Sequence, residues 1–408
     1  MKPNRLTRKE VGVLALYSIA IGVIVGSINA IFGRGIILVT RIRLQYAWWL
    51  LALLPLAGML IVWLYRTYGG ESRRGMGLVY EVGQGKRSKI PKRLVPLAIV
   101  TTWITHLFGG SVGREGVAVQ IGSTVGNFFS RHTNIKDRNR LFLIIGIAAG
   151  FSGLFHTIWA AAFFAVEILI AGHIAYRAFP FALLSSWFAT MTSNFIGLET
   201  YQPHLRESLD WSAGNILNLI ILGLAFGVCG NLFAYFLASF KKWAQKGPVN
   251  PYLRIFLQAS ILALFLILLW KGRYAGLGTN LVDAAMGQEH LYAWDWILKM
   301  LLTAFSVGIG FQGGEVTPLF AMGAALGGLL GMIIGIPVPL AAALGYAAVF
   351  GAGTNTFLAP MIIGIEIFGL AYIPHFILVC GLASLLYRKL SIYKEQEIAK
   401  TSYLPFTF

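Results

Sequence analysis

The stretch GGSVGREGVAVQIGSTVG, residues 109–126, decides the fold and the function expected of this chain. It places Arg114 and Glu115 between glycines inside a run that is otherwise apolar. An ionisable residue at membrane depth costs at least about 2.5 kcal/mol on insertion scales, so such residues usually face an ion path, a water path or a partner. The charged pair therefore predicts a functional site within a membrane.

The glycines of this stretch favour an anion site at the start of a helix. Gly113 and Gly116 let the backbone approach closely, and the apolar run after Glu115 can begin a helix. The first N–H groups of a helix have no intrahelical partner and attract anions. A carboxylate at that end competes with a permeant anion and leaves when it is protonated. A purely structural pair with Arg114 is the weaker interpretation, because adjacent residues on a helix face apart.

The composition is that of an integral membrane protein. Of 408 residues, 57% are hydrophobic and 12% are charged, against roughly 25% charged in soluble domains. We expect a single integral-membrane domain over residues 1–408, without a cytosolic regulatory domain, because no polar stretch is long enough to form one. The net charge of +17 does not indicate a nucleic-acid partner, since the basic residues cluster in short loops that set orientation in a bilayer.

Apolar spans at residues 11–32 and 46–65 are each long enough for the roughly 20 residues that cross a bilayer. Basic residues before the first span and in the loop at 66–93 outnumber the three arginines assigned to the loop between the spans. This excess predicts a cytoplasmic N-terminus. The next spans are short and interrupted by glycine, which is tolerated at membrane depth where the backbone lines a cavity or is buried. They are predicted at residues 94–108, 117–129, 141–150, 158–171 and 178–196. Longer spans follow at 216–240 and 255–270, and a second short series covers 297–386.

The short segments occur in two matching series. GMG at residues 75–77 matches GLG at 276–278 with an offset of 201, and Glu115 matches Glu315 with an offset of 200. Eight further residues between Gly146 and Ile168 recur without a gap at an offset of 199. Internal symmetry of this kind marks transporters built from two repeats, with the ion site at their interface. The repeats are predicted at about residues 70–196 and 272–390.

These motifs resemble those of the CLC family of anion channels and proton-coupled anion exchangers over about residues 70–395. The family's three filter motifs are usually written GSGIP, GREGP and GxFxP. Here they read GMGLV at residues 75–79, GREGV at 113–117 and GEVTP at 314–318. Tyr393 stands where the family's central tyrosine is expected. The resemblance implies an all-α integral membrane protein, with two inverted repeats of short, broken and tilted helices, that forms a homodimer.

Departures from the chloride pattern indicate a branch of the family. Met76 replaces the serine whose hydroxyl coordinates chloride, Val117 replaces a proline, and Glu315 with Val316 replaces the usual third motif. These departures resemble the fluoride-specific bacterial branch. The resemblance implies a multi-pass protein of the bacterial inner membrane that exports fluoride by fluoride/proton antiport and so gives fluoride resistance.

The resemblance also implies roles for individual residues. Glu115 is expected to be the gating and proton-coupling glutamate, and Glu315 a third-motif coupling glutamate. A fluoride site must replace the ion's water with close donors, which N–H groups at helix starts and the Tyr393 hydroxyl can supply. Met76 has no such hydrogen and is expected to shape the path or exclude a larger anion. The predicted anion-binding residues are Gly75, Met76, Gly77, Gly116, Val117, Val316, Thr317 and Tyr393.

Four other residues have structural interpretations. Glu167 and Glu366 match across the repeats at segment ends, where structural roles are favoured. Ile168 stands where many proton-coupled chloride exchangers have a second glutamate, so the usual proton relay is missing. His156 and Asn355 also match and can donate to an anion, although buried polar groups are more commonly satisfied within the protein.

The sequence leaves two other functions open. A passive chloride channel or a chloride/proton exchanger has the same fold, and Met76 and Glu315 weigh against both. An intramembrane enzyme needs a nucleophile with a base or a metal cluster, and the histidines lack an HExxH-like spacing. We therefore expect no enzyme activity, no metal and no cofactor, with fluoride, protons and the lipid bilayer as partners.

Overall fold

The computed structural model describes residues 6–200, 205–287, 289–386 and 389–399. Lys2 and Arg5, which contributed to the predicted orientation, lie outside these ranges. Across the described residues, the regular secondary structure is helical apart from one pair of two-residue strands. In chain order the first half comprises α1 (Arg8–Gln45), α2 (Ala47–Ala52), α3 (Leu54–Leu64), α4 (Met76–Gly83), α5 (Leu94–Leu107), α6 (Glu115–Ser130), α7 (Arg138–Phe155), α8 (Ile158–Glu167), β1 (Ile170–Ala171) and α9 (Phe179–Phe195). The second half comprises α10 (Ala213–Ala244), α11 (Pro251–Leu268), α12 (Thr279–Ala285), α13 (Asp295–Ile309), α14 (Val316–Ile334), α15 (Val338–Thr354), α16 (Leu358–Phe368), α17 (Ile373–Leu385) and β2 (Glu397–Ile398).

Within the described ranges, five helices are long and apolar enough to cross a membrane, namely α1, α7, α10, α11 and α14. Shorter apolar helices accompany them, including α5, α8, α15 and α16. A bilayer requires about 20 residues of helix for a full crossing, so helices as short as α8 and α16 reach only part of the way. The glycine-interrupted segments of the sequence correspond to this mixture of long and short helices.

The first helix is longer than predicted. Arg34, Arg41 and Arg43, which were assigned to a loop, all lie on α1. Arg34 Nη1 donates to the carbonyl of Ile196 at 2.8 Å, and Arg43 Nη1 donates to that of His106 at 3.0 Å. The loop prediction was wrong because carbonyl partners satisfy two of these charges beside the helix and no proline interrupts residues 33–45.

Two predicted spans end or break earlier than expected. The span at residues 46–65 divides into α2 and α3 at Leu53, because Pro55 in the first turn of α3 has no N–H to continue the hydrogen-bond ladder. The span at residues 158–171 is helical only to Glu167. Beyond it, Ile170–Ala171 forms β1, which pairs in parallel with Glu397–Ile398 of β2.

Matching helices cross in the same way in the two halves. A Cβ on Gly122 of α6 would lie 2.0 Å from the carbonyl oxygen of Gly146 on α7. A Cβ on Gly323 of α14 would lie 2.2 Å from that of Gly345 on α15. Small residues allow such close backbone approach between helices in membranes. The same glycine crossing therefore forms once in each half.

A pair of glutamates ties the two halves together. Glu167, the last residue of α8, accepts hydrogen bonds of 3.0–3.2 Å from three successive N–H groups at the start of α16. Glu366 of α16 accepts bonds of 2.7–3.2 Å from three successive N–H groups at the start of α8. The donors are Phe357, Leu358 and Ala359 for Glu167, and Ile158, Trp159 and Ala160 for Glu366. Each carboxylate satisfies helix-start groups that have no intrahelical partner, which is a structural role of the kind favoured for both.

Candidate anion and proton site

The glycine motifs of the two halves meet in an antiparallel bridge. Gly113 N donates to the carbonyl of Gly314 at 2.5 Å, and Gly314 N donates to that of Gly113 at 2.7 Å. The backbone therefore runs in opposite directions through the two motifs. Helices α6 and α14 begin just after the bridge, at Glu115 and Val316, so the starts of both helices lie side by side.

Glu115 lies against the start of the opposite helix. Its Oε2 accepts hydrogen bonds from Thr317 N of α14 at 2.9 Å and from Arg114 N at 3.0 Å. The side chain is buried, with an exposed fraction of 1%. The carboxylate thus occupies a place that favours an anion. The prediction that it competes at the start of its own helix needs correction, because the glycine bridge brings the start of α14 within its reach.

Arg114 is close enough to Glu115 for an ion pair. Arg114 Nε and Glu115 Oε1 are 3.8 Å apart, which is longer than a hydrogen bond. The expectation that the two side chains face apart was wrong, because Arg114 is the N-cap of α6, with φ −126° and ψ −17°, and lies outside the regular helix. Within the described part of the chain, Oε1 accepts no hydrogen bond. One carboxylate oxygen is therefore held by N–H groups and the other by electrostatic attraction alone.

Glu315 makes the corresponding approach to the other helix. It is the N-cap of α14, and a Cβ on Gly116 would lie 3.6 Å from its Oε2, so the carboxylate contacts the first turn of α6. Its Oε1 lies 3.9 Å from Lys241 Nζ at the end of α10. The two motif glutamates thus face each other's helices. Lys241 was not identified by the sequence analysis.

The remaining predicted residues of these two motifs occupy the first turns. Gly116 and Val117 lie in α6, whereas Val316 and Thr317 lie in α14, and all four are buried. The Oγ1 hydroxyl of Thr317 is buried and has no hydrogen-bond partner in the described chain. A buried hydroxyl is normally satisfied. The hydroxyl therefore provides a donor at the place where the two helix starts meet.

The first motif lies at the start of α4. Gly75 is its N-cap, with φ 50°, a conformation that glycine adopts readily, and Met76 is the first helical residue. A Cβ on Gly75 would lie 3.7 Å from the side-chain amide of Gln120 on α6. A Cβ on Gly77 would lie 3.6 Å from Glu395 Oε1. Sequence analysis missed both polar neighbours, although Gln120 had one signal, a polar residue one turn beyond the second motif.

Tyr393 is buried beside the first motif. Its ring packs on that of Tyr80 of α4, with 5.4 Å between the ring centroids. Glu115 and Glu315 are both near enough to interact electrostatically with its hydroxyl. The structure therefore brings the predicted tyrosine into the neighbourhood of both motif glutamates.

The segment that carries Tyr393, residues 390–399, is held by both halves of the molecule. Ile392 N donates to the carbonyl of Gly353 at 3.0 Å. Gln396 Nε2 donates to the carbonyls of Ile168 and Thr354, each at 3.0 Å. Ile168 belongs to the first half and Thr354 to the second. The segment is consequently a strap across the interface between the halves.

A buried lysine holds the loop that leads to the second motif. Lys299 Nζ donates to Ser111 Oγ at 2.9 Å, to the carbonyl of Tyr274 at 3.1 Å and to that of Gly276 at 2.6 Å. These bonds join the loop before Gly113 to the GLG motif of the second half. No local pattern indicates this contact, because Lys299 lies inside an apolar helix that is distant in sequence from both loops.

Two polar residues considered as anion donors have partners within the protein. His156 Nε2 lies 2.8 Å from Ser193 Oγ, and its Nδ1 lies 3.3 Å from Thr200 Oγ1. Asn355 Nδ2 donates to the carbonyl of Leu390 at 3.1 Å. These contacts account for both ring nitrogens of His156.

A cavity of about 560 Å³ opens beside Tyr393. Its polar lining includes Asn355, Ser391 and Gln396. Among the described residues that line it there are five cations and no carboxylate, and a lining of one sign concentrates ions of the opposite sign. The five cations are Lys241, Lys242, Arg254, Lys389 and Lys394.

Fold and site together define a class of protein, the membrane proteins that carry anions between two related halves whose helix starts converge on one site. Residues 57–388 match the family described as voltage gated chloride channel, and the chain belongs to this family, the CLC anion channels and transporters. The predicted all-α fold with two inverted repeats is confirmed, and the chain is a multi-pass membrane protein.

Relatives of known description cover most of the chain. A chloride/fluoride channel protein of Pseudomonas syringae pv. tomato is 30% identical over 94% of this chain and 86% of its own length. A solved structure of a CLC-type fluoride/proton antiporter is 42% identical, with a TM-score of 0.94 over 97% of this chain and 100% of that one. A slow cyanobacterial Cl−/H+ antiporter has a TM-score of 0.78 over 91% and 93% of the two chains, and at 21% identity this likeness shows the fold alone.

Proposed function

We propose that this protein exports fluoride across the cell membrane in exchange for protons. The observation that carries the proposal is the position of Glu115, whose buried carboxylate accepts a hydrogen bond from Thr317 N at the start of α14. Protonation removes the charge that holds the carboxylate there, and an anion can then take its place. The 42% identical fluoride/proton antiporter and the chloride/fluoride channel protein support fluoride as that anion.

The proposal gives each predicted residue a role. Glu115 gates the path and carries protons, and Glu315 is the second coupling carboxylate. Two helix starts and the Thr317 hydroxyl supply close donors that replace the water around fluoride. Met76, at the start of α4, excludes larger anions. The remaining anion-binding residues of the proposal are Gly75, Gly77, Gly116, Val117, Val316 and Tyr393.

The proposal extends to assembly and orientation. We infer that the protein lies in the bacterial inner membrane with its N-terminus in the cytoplasm. The basic loop at residues 66–93 supports this orientation. It forms a homodimer with one pathway per subunit, as the family resemblance implies. Repeat limits at residues 70–196 and 272–390 are supported by the matching glycine crossings. Crosslinking in lipid that recovers only monomer would contradict the dimer.

The experiment that tests the function is Glu115→Gln in liposomes. This change keeps the size of the side chain and removes its titratable charge, so a fluoride gradient should no longer drive protons across the membrane. A fluoride electrode and a pH electrode measure the two fluxes. Glu397→Gln, at an exposed residue that pairs with Lys86, is the control and should remain coupled.

Two outcomes would overturn the assignment. Equal fluoride-driven proton flux in Glu115→Gln and the wild type would remove Glu115 from the mechanism. Chloride efflux as fast as fluoride efflux from the wild type, without proton movement, would favour a passive chloride channel instead.

A further inference from the structure

Lys241 links the cationic cavity to the third-motif glutamate. Its Nζ lies 3.9 Å from Glu315 Oε1, and its side chain is 43% exposed whereas that of Glu315 is 11% exposed. Lys241 also lines the cavity, so the lysine end of the ion pair is exposed to solvent and the glutamate end is almost fully buried. The next residue, Lys242, lines the same cavity without an ion pair to Glu315 among the described contacts.

Among the described residues, the other charged groups that interact with Glu315 are carboxylates. Glu115, on α6, and Glu395, on the strap at residues 390–399, both lie within electrostatic range of it. Tyr393 on the same strap is neutral at ordinary pH. Within the described chain, Lys241 is the cation that offsets these negative charges, because it lies within 4.0 Å of the Glu315 carboxylate. Without it, Glu315 would face two like charges and, among the described residues, no cation within 4.0 Å.

We propose that Lys241 is a positioning residue that keeps Glu315 ionised and directed toward the cavity. When Glu315 takes up a proton, the ammonium group of Lys241 exchanges its carboxylate partner for a fluoride ion. A proton arriving at Glu315 forms an O–H bond and cancels the carboxylate charge. The ammonium group then attracts a fluoride ion from the cavity. When the proton leaves for the cavity, the ion pair re-forms. This inference rests on the proposed function for the identity of the two ions.

The test compares Lys241→Met with Lys241→Arg and with Lys242→Met in liposomes. Lys241→Met removes the charge beside Glu315, so Glu315 should hold its proton to higher pH. An opposite charge within about 4–6 Å typically shifts the pH at which a carboxyl group titrates by one to three pH units. Because this lysine is partly exposed, the pH of half-maximal proton flux in Lys241→Met should rise by about one unit. The KM for fluoride should rise about tenfold, the loss expected when a charge-assisted contact is removed.

Matched variants separate this role from general effects. Lys241→Arg keeps the charge and should restore both the pH profile and the KM. Lys242→Met removes one cation from the same cavity and should leave the pH profile unchanged. In a Glu315→Gln background, Lys241→Met should not change the pH dependence of fluoride efflux any further, because the group on which Lys241 acts is already absent. Lys241→Arg and Lys242→Met keep the inference testable if Lys241→Met folds poorly.

The outcomes distinguish this inference from the proposed function. Absence of fluoride-driven proton flux in the wild type would refute the proposed function whatever Lys241 does. With a coupled wild type, an unchanged pH profile in Lys241→Met, or an equal shift in Lys242→Met, would overturn the role of Lys241.

Discussion

Met76 is the residue at which anion selectivity is most directly tested. It is the first residue of α4 and follows Gly75 at φ 50°. Met76→Ser adds a hydroxyl donor and removes an apolar group from the proposed path, so chloride should bind better relative to fluoride. A hydrogen bond to a charged group is worth roughly 1.5–3 kcal/mol, so the preference for fluoride should fall by about tenfold to a hundredfold.

The selectivity ratio is read from liposomes loaded in turn with fluoride and chloride, using ion-selective electrodes. Met76→Leu serves as the control, because it keeps an apolar side chain and adds no donor, and its ratio should stay close to that of the wild type. An unchanged ratio in Met76→Ser would leave the fluoride assignment standing but remove Met76 from its explanation.

At the scale of single residues, site residues that belong to sequence motifs could be predicted. Residues that reach the site from other parts of the chain were missed. Glu115 and Glu315 were found because glycines surround a charge in an apolar run. Lys241 was missed because a lysine at the end of a long helix has the pattern of a solvated residue, and no local signal connects it to Glu315. The pairing of Glu115 with Thr317 depends on the glycine bridge, which neither motif encodes alone.

A substitution at the crossing of α6 and α7 tests how much the close packing of these helices contributes to stability. In Gly122→Ala the new Cβ would lie 2.0 Å from the carbonyl oxygen of Gly146, a backbone atom that moves only if α7 moves. The free energy of unfolding should fall by about 1–3 kcal/mol or more. Thermal unfolding in detergent measures the change. Gly12→Ala on α1 is the control, because nothing lies within 4 Å of its Cβ, and stability should be unchanged or rise by up to about 1 kcal/mol.

A second prediction concerns the contribution of the reciprocal glutamate caps to stability. Glu366→Ala leaves three N–H groups at the start of α8 without their acceptor. Loss of a helix cap costs about 0.5–2 kcal/mol of stability. The same unfolding assay should detect this loss, while Glu289→Ala, at an exposed residue, should have little effect. Equal stabilities of the two variants would show that the caps do not hold the halves together.

Element bounds were predictable where the chain itself breaks a helix. The predicted start at residue 94 agrees with that of α5. The break at Leu53 was missed, although Pro55 is a local signal for it. The end of α1 was mispredicted because its arginines are satisfied by carbonyls on α5 and beyond α9, contacts that depend on tertiary packing. Likewise, β1 forms only because the distant β2 lies beside it.

For the whole molecule, the proposed exchange predicts a particular electrical behaviour. If one fluoride leaves as one proton enters, two elementary charges move inward in each cycle, which amounts to roughly 4.6 kcal/mol per 100 mV. With a tenfold fluoride gradient and no pH gradient, net flux should then be zero at a membrane potential of about 30 mV. For a fluoride channel without proton coupling, the reversal potential would be about 59 mV. Liposomes clamped with potassium and valinomycin give the reversal potential, and a value near the larger figure would contradict one-to-one exchange.

Internal symmetry was the strongest global prediction from the residues themselves. Offsets of 199–201 revealed two repeats. The glycine crossing forms once in each half, and each half supplies one glutamate that caps a helix of the other half. The inverted arrangement could not be read from an offset, because parallel repeats would produce the same one. It came from the family resemblance, and the opposite backbone directions at Gly113 and Gly314 are consistent with it.

The strap at residues 390–399 also sets an order of events in time. A chain leaves the ribosome from its N-terminal end, so every helix from α1 to α17 emerges before Tyr393 does. A nascent chain that has inserted all of these helices already contains Glu115 and Glu315 but lacks the tyrosine beside them. The proposed ion path is therefore complete only when this short segment binds between the two halves, and a chain that terminates before the segment contains an unfinished path.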